Sequence, residues 1–327
     1  MTSDIRDQDP VTSQRPTRRR PGATATPVPG RYAGVYADYE TAVTDPLLRL
    51  DDDTRRNYLS RVRQYLAWLD ATNLDGDPLT DPAARDWAAR DYRAHLLTVL
   101  KRKPTTVNAH LTAIDDFNRR LGLGPATAKR TKLPNLAPRA LDQRAQVRFL
   151  REAELSSPRD RAMGYTAFYA GTRIHELVAF DLDDLRISAR KGVLIVRMGK
   201  SGKYREVNLH AKLRAELETW LKERATLRGT DESKALFLNV RGRRLSARAA
   251  TDVLNGIADR AGIEVGRDED FTTHVLRHTL GTKLAREGVD VVTIAELLGH
   301  SLETARRYTL PTDADRQAAI DKLTVDE

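Results

Sequence analysis

Two arginines, two histidines, a lysine and a tyrosine in the C-terminal half of this 327-residue chain are of types that together handle anions and protons. Arg173 follows Gly171 in Gly171-Thr172-Arg173-Ile174-His175-Glu176-Leu177. Lys200 sits in Gly199-Lys200-Ser201-Gly202-Lys203-Tyr204. His274 and Arg277 are spaced i, i+3, which puts them on one face of a helix. His300 follows Leu297-Leu298-Gly299, and Tyr308 lies eight residues later. A guanidinium holds two oxygens as a planar fork, which lysine cannot do. An imidazole donates a hydrogen bond or moves a proton near neutral pH. Taken singly, each residue has an ordinary structural explanation: Arg173 as a helix C-cap cation, Lys200 in a solvated loop, His274 as a capping group, His300 as a polar residue after a glycine stop.

Other chemistries drop out on the same reading. The chain has no cysteine, which excludes disulfides, thiolate metal sites and a cysteine nucleophile. His274 and His278 are four apart on a helix but lack a third ligand at metal spacing, so no metal is expected. Gly199-Lys200-Ser201 lacks the glycine lead-in of a phosphate-binding loop and joins two strands rather than a strand and a helix. No serine sits in a nucleophile elbow.

The elements that must position these residues fall into two regions with a tail. Residues 1–30 carry five prolines and Arg18-Arg19-Arg20 with few large apolar residues, so a disordered tail is expected. Residues 31–121 read as helical. Tyr58, Val62, Tyr65, Leu66 and Leu69 form one amphipathic face, a second helix covers roughly Pro82 to Leu100, and a third begins after Pro104 with Val107, Leu111, Ile114 and Phe117 inward. Before the third helix stand Lys101, Arg102 and Lys103, with Thr105 and Thr106 as hydroxyl caps. Cations beside a helix N-terminus suit contact with phosphates, and equally a solvated basic loop. Residues 122–142, rich in Gly, Pro and Lys/Arg, have linker composition, and their cations suit a strap across a nucleic-acid duplex.

Residues 143–327 read as mixed. A helix with Ala162, Tyr165, Phe168 and Tyr169 stops at Gly171, and Val193–Val196 and Arg205–Leu209 form a hairpin around Lys200. Leu213, Leu217, Trp220 and Leu221 mark a helix, and Leu236-Phe237-Leu238 reads as a third strand. Helices follow over 247–261, 274–287 and 291–298, then a short one holding Tyr308 and a last one after Thr312-Asp313. The fold class expected is mostly α with a small antiparallel β-sheet.

Taken together, Gly-x-Arg-x-x-Glu-Leu (171–177), Gly-Lys-x-x-Lys-x-Arg (199–205), His-x-Leu-Arg-His (274–278), Leu-Leu-Gly-His-Ser (297–301) and the downstream Tyr308 resemble the tyrosine recombinase, phage-integrase-like family in order and approximate spacing. The resemblance covers residues 143–327 as a catalytic domain with a C-terminal docking segment. More loosely it extends to 31–121 as the helical core-binding domain. What it implies is phosphoryl transfer without metal or cofactor. Arg173 and Arg277 would act as forks on the phosphate oxygens that gain charge in the transition state. His274 and His300 would donate to the same oxygens or shuttle the nucleophile's proton. Lys200 would protonate the 5′-oxygen leaving group, with Lys203 its rival in the same loop. Tyr308 would attack phosphorus to form a 3′-phosphotyrosyl link. Glu176, one turn from Arg173, would orient a neighbouring group or make an ordinary surface salt bridge.

Two departures from the family pattern stand out. The family usually places its tyrosine nine residues after the Leu-Gly-His histidine, and here the interval is eight. Thr172 and His175 stand where the family often has leucine and serine. The resemblance further implies a C-shaped clamp on double-stranded DNA carrying inverted-repeat core sites, a homo-tetramer on two sites, and a C-terminal segment whose Ala318, Ala319, Ile320 and Leu323 dock on a neighbouring protomer or on their own domain. A topoisomerase IB-like nicking and resealing enzyme and a non-catalytic DNA-binding protein of the same fold are the competing readings. Lys and Arg number 55 against 46 Asp and Glu, a net +9 that suits a polyanionic partner. No apolar run is long enough to span a membrane, and the N-terminus carries no signal-peptide pattern, so a cytoplasmic, DNA-associated protein is expected.

Overall fold

The computed structural model describes residues 25–45, 50–133, 139–188, 190–197, 204–227, 232–263, 271–311 and 313–321. Lys200, Lys203, the arginines at 18–20, Thr312, Leu323 and the side chains of Ala318 and Ala319 lie outside the described residues. Contacts divide the chain into two compact units, Met1–Pro134 and Asn135–Glu327.

The first unit holds α1 (Ala33–Thr44), α2 (Asp52–Ala71), α3 (Pro82–Thr98) and α4 (Pro104–Arg120). Its helices start where the sequence supplies caps: the Asp51 carboxylate accepts from the Thr54 N–H at 2.8 Å, and Asp81 caps α3 ahead of Pro82. The apolar stripes meet in a core of Tyr39, Tyr65, Leu66, Leu69, Tyr92, Leu96, Val107, Leu111, Ile114 and Phe117. Helix α1 was not among the three expected. Its stripe is Tyr36, Tyr39 and Val43 among alanines and threonines, a weak apolar signal that becomes a helix by packing. At the start of α4 the hydroxyl caps expected from Thr105 and Thr106 are absent. Pro104 takes the first helical position, which leaves Lys103 as the cap residue without a side-chain cap and puts both threonines inside the first turn. Residues 127–131 are tied to this unit's helices. The Thr127 N–H donates to Asp86 at 2.7 Å, and Asn108 exchanges two 2.8 Å hydrogen bonds with the Thr131 backbone.

The second unit contains α5 (Gln143–Glu154), α6 (Pro158–Tyr169), α7 (Ile174–Ala179), strands β1 (Leu185–Ile187), β2 (Gly192–Val196) and β3 (Arg205–Asn208), then α8 (Ala211–Arg224), α9 (Ala247–Arg260), α10 (Thr273–Arg286), α11 (Val291–Leu298), α12 (Leu302–Arg306) and α13 (Asp313–Ile320). The sheet is antiparallel in the order β1-β2-β3, with Leu194 paired to Leu185 on one side and Val207 on the other. Helices pack around it on a core that includes Phe149, Leu177, Leu194, Val196, Leu217, Trp220 and Leu276. The fold is therefore mostly α with a small antiparallel sheet.

One strand was misplaced. Leu236-Phe237-Leu238 is buried but makes only isolated bridges at Ala235 and Leu238. Side chains take the acceptors a ladder would need: the Trp220 indole N–H donates to the Leu236 carbonyl at 2.9 Å, and the Arg224 Nε–H to that of Ala235 at 3.0 Å. The third strand is β1 instead. Tyr308 also sits in a different element from the one expected, on a 3-10 turn (Arg307–Thr309) that follows α12.

Candidate active site

Helix α6 ends at Gly171, whose φ of +55° is the left-handed conformation that glycine adopts without strain. A Cβ there would also stand 2.8 Å from Leu298 and 2.9 Å from Leu280, so neither shape nor space admits another residue. This turn brings Arg173 to the cap position of α7 and aims the Gly171 carbonyl at α10. The Glu176 side chain accepts from the Arg173 backbone N–H at 2.9 Å and from its guanidinium at 2.7 Å. Glu176 is 5% exposed, so the surface salt bridge that the sequence left open is not what forms.

A second arginine closes on the same carboxylate. Strand β3 alternates inward and outward, and Arg205 faces in, donating to Glu176 at 3.1 and 2.7 Å. Burial acts to raise the Glu176 pKa. The hydrogen bonds from Arg205 and from the Arg173 backbone, with the arginine charges, overcome it and hold the pKa at about 2.

Arg277 has no exposed surface. Its Nη1 donates to the Gly171 carbonyl at 2.6 Å, its Nη2 to the Leu298 carbonyl, and its Nε to His300 Nε2 at 3.0 Å. Three of the five guanidinium N–H groups are thus committed. Burial, reinforced by the charge of Arg173, brings its pKa down to about 9. Arg173, Arg205 and Arg277 face the single carboxylate of Glu176, which leaves the cluster with two uncompensated positive charges. Such a pocket attracts an anion.

Tyr308 completes the cluster at 3% exposure. Its ring stacks on His300 with 5.8 Å between centroids, and its hydroxyl lies 3.3 Å from His300 Nδ1 and 3.2 Å from His278 Nδ1. The ring lies flush on α10 because residue 281 is glycine: a Cβ there would stand 2.7 Å from the Tyr308 ring. Burial pushes the phenol up to about 12, against the pull of Arg277, and holds His300 down at about 3 and His278 at about 4.

The structure therefore brings together Arg173, Glu176, Arg277, His300 and Tyr308. His274 lies at the rim, exposed on the first turn of α10, with its ring 6.4 Å from that of His278. The face shared by His274 and Arg277 runs from surface to interior. On α12, Leu302 is 48% exposed, while Ala305 is fully buried. Lys101, Arg102, Lys103 and Thr105 are exposed and Thr106 half-buried in the other unit. Two site residues were not singled out. Arg205 was read as a strand start and as the closing arginine of the 199–205 motif, without a role, although a charged residue on the inward phase of an alternating strand demands a buried partner. His278 was weighed as half of a metal pair and as the last residue of the 274–278 motif, and was given no role. Among the described residues no cluster of His, Asp and Glu could hold a metal ion, and no helix is long and apolar enough to cross a membrane.

A mostly helical unit with a three-stranded sheet, holding a phenol beside buried arginines and histidines, defines a positively charged centre suited to an anion. The chain belongs to the phage integrase family of tyrosine recombinases, DNA breaking and rejoining enzymes, whose family model matches residues 139–315. A tyrosine recombinase XerA of Thermococcus kodakarensis is 32% identical over 275 residues, covering 82% of this chain and 88% of the relative. Among solved structures, a XerH site-specific recombinase bound to a palindromic difH substrate aligns with TM-score 0.66 at 20% identity over 82% of this chain and 79% of the other. A lambda integrase tetramer bound to a Holliday junction aligns with TM-score 0.60 at 18% identity over 90% and 79%.

Proposed function

We propose that this chain is a site-specific recombinase that cuts duplex DNA at inverted-repeat core sites through a 3′-phosphotyrosyl intermediate on Tyr308 and exchanges strands through a Holliday junction as a homo-tetramer on two sites. The observation that carries this reading is the placement of the Tyr308 hydroxyl 3.3 Å from His300 Nδ1, on the histidine whose other nitrogen Arg277 holds. The XerH recombinase in its post-cleavage complex and the lambda integrase tetramer on a Holliday junction support the same reading.

In this proposal residues 31–121 grip DNA through Lys101, Arg102, Lys103, Thr105 and Thr106, residues 122–142 connect, and 143–327 perform the chemistry. The positive surplus around Glu176 draws in the scissile phosphate. Arg173 and the two N–H groups that Arg277 has left stabilise its non-bridging oxygens as charge develops. Because Arg277 has no exposed surface, the phosphate must displace one of its present partners or a side chain that covers it. The rim residue His274 donates to the same oxygens, while His300, whose Nε2 accepts from Arg277, holds the phenol. Tyr308 attacks phosphorus and Lys200 gives a proton to the departing 5′-oxygen. The phosphotyrosyl bond conserves the energy of the phosphodiester, so rejoining needs no nucleotide.

Removing one hydroxyl tests the nucleophile. Tyr308→Phe keeps the ring against Gly281, so the variant folds and binds its DNA, and it forms no covalent adduct on a nicked trapping duplex. The unaltered chain forms one at the 3′ side of the cut. An adduct that persists in Tyr308→Phe, or that maps to Ser301 or Thr309, overturns the assignment.

A further inference from the structure

The proton of a nucleophilic phenol must go somewhere, and the hydrogen-bond directions around Tyr308 leave one destination. Arg277 Nε carries a hydrogen and cannot accept, so the 3.0 Å contact to His300 Nε2 makes that nitrogen the acceptor. A neutral imidazole with a bare Nε2 carries its hydrogen on Nδ1. Within the 3.3 Å contact, His300 Nδ1–H therefore donates to the Tyr308 oxygen. The phenol's own hydrogen then points to its other nitrogen neighbour, His278 Nδ1 at 3.2 Å. The chain runs one way: Arg277 to His300 to Tyr308 to His278.

We propose that His278, the second histidine of His-x-Leu-Arg-His, is a catalytic residue that accepts the Tyr308 proton as the phenol oxygen attacks phosphorus. This rests on Tyr308 being the nucleophile. As the step runs, the Tyr308 O–H bond breaks and an N–H bond forms at His278 Nδ1. The Tyr308 O–P bond forms, the bond from phosphorus to the 5′-oxygen breaks, and that oxygen takes its proton from Lys200. In rejoining, the imidazolium of His278 returns its proton to Tyr308. Burial and the nearby His274 keep His278 neutral and able to accept. An anionic phosphate entering the pocket raises the proton affinity of a buried imidazole beside it, so acceptance is coupled to substrate arrival. His300 is unsuited to this task, because protonating Nε2 would set its new hydrogen against that of Arg277 Nε. It serves instead to hold the phenol oxygen in line.

Two measurements on the full chain test the proposal. In nitrogen-15 spectra of the histidine side chains, His300 should appear with its hydrogen on Nδ1 and His278 with its hydrogen on Nε2. The opposite tautomer at His278 overturns the assignment without any DNA. In the second, adduct formation is timed on a nicked duplex carrying the site found by footprinting the DNA that flanks the coding region. His278→Ala should slow it about 100-fold or more, the range of general base catalysis, with DNA affinity unchanged and with partial rescue by added imidazole. His278→Asn, which restores an acceptor near Nδ1 but cannot hold a proton, should stay close to the alanine level. Unaltered rates in His278→Ala, or full recovery in His278→Asn, overturn proton acceptance by His278 while Tyr308 stands as nucleophile. Absence of any Tyr308 adduct in the unaltered chain removes the nucleophile assignment itself, and this proposal with it.

Discussion

Glu176 accepts hydrogen bonds from two arginines that would otherwise repel each other, and its position is set by burial as much as by charge. Desolvation alone would raise its pKa, yet the hydrogen bonds and charges of the two arginines hold it at about 2, well below the ordinary glutamate value of 4.5. A carboxylate with a depressed folded-state pKa contributes stability that is complete above about pH 4.5 and is lost as pH falls towards 2. Glu176→Gln keeps the shape and one acceptor but leaves Arg173 and Arg205 facing each other without a counter-charge. Breaking a buried ion pair from one side costs about 3 kcal/mol or more. The expected outcome is a loss of that size in urea unfolding at pH 7, with the gap between variant and unaltered chain narrowing progressively below about pH 4.5. A gap independent of pH would mean that the carboxylate acts by shape alone. Adduct formation should fall as well, because Arg173 loses the partner that fixes its fork.

Helix α10 and the 3-10 turn after α12 act as one device. A 3-10 turn advances about 20° more per residue than an α-helix, and tightening at Arg307–Thr309 swings Tyr308 onto α10 although it follows His300 at an interval of eight rather than the family's usual nine. Gly281 makes room for the ring. In an ordinary helix Gly→Ala stabilises by about 0.5–1 kcal/mol. Here the methyl would meet the Tyr308 ring at 2.7 Å, so the ring must leave its place against His300 and His278. Gly281→Ala should keep the helical circular dichroism and slow adduct formation at least tenfold, and a variant cleaving at the original rate would show that the ring pose is not the reactive one. Much of this arrangement was legible in the sequence. Helix α11 runs over the expected 291–298 because Asp290 caps it and Gly299 stops it. Arg173, Arg277, His300 and Tyr308 converge as the motif order suggested. What was not legible depends on long-range partners. The apolar run 236–238 reads as a strand until Trp220 claims the Leu236 carbonyl and Arg224 that of Ala235 beside it, and His278 looks like a spare polar residue until the shortened turn lays a phenol across it.

At the scale of the whole molecule the net charge of +9 is spread over two compact units. In the second, the positive surplus is buried around Glu176. In the first, Lys101, Arg102 and Lys103 are exposed in the turn between α3 and α4. That turn is held by its backbone. Lys101 has φ of +48°, a left-handed conformation that costs an L-residue about 1 kcal/mol, and the Arg102 N–H returns to the Leu96 carbonyl at 2.8 Å. Alanine at all three positions preserves those backbone constraints and removes the three charges, so the fold should survive the triple substitution. If the three cations lie on DNA phosphates, each releases counterions on binding. Losing three contacts then flattens the slope of log affinity against log salt by about 2.7. Affinity at low salt should fall steeply and affinity at high salt much less. Cleavage of DNA already bound should proceed at the original rate, because Arg173 and Arg277 sit in the other unit. Binding isotherms across a salt series, with single-turnover cleavage at saturating protein, measure both quantities. An unchanged slope would place the DNA grip elsewhere in the chain, and an unchanged slope with slowed cleavage would tie the turn to the chemistry instead.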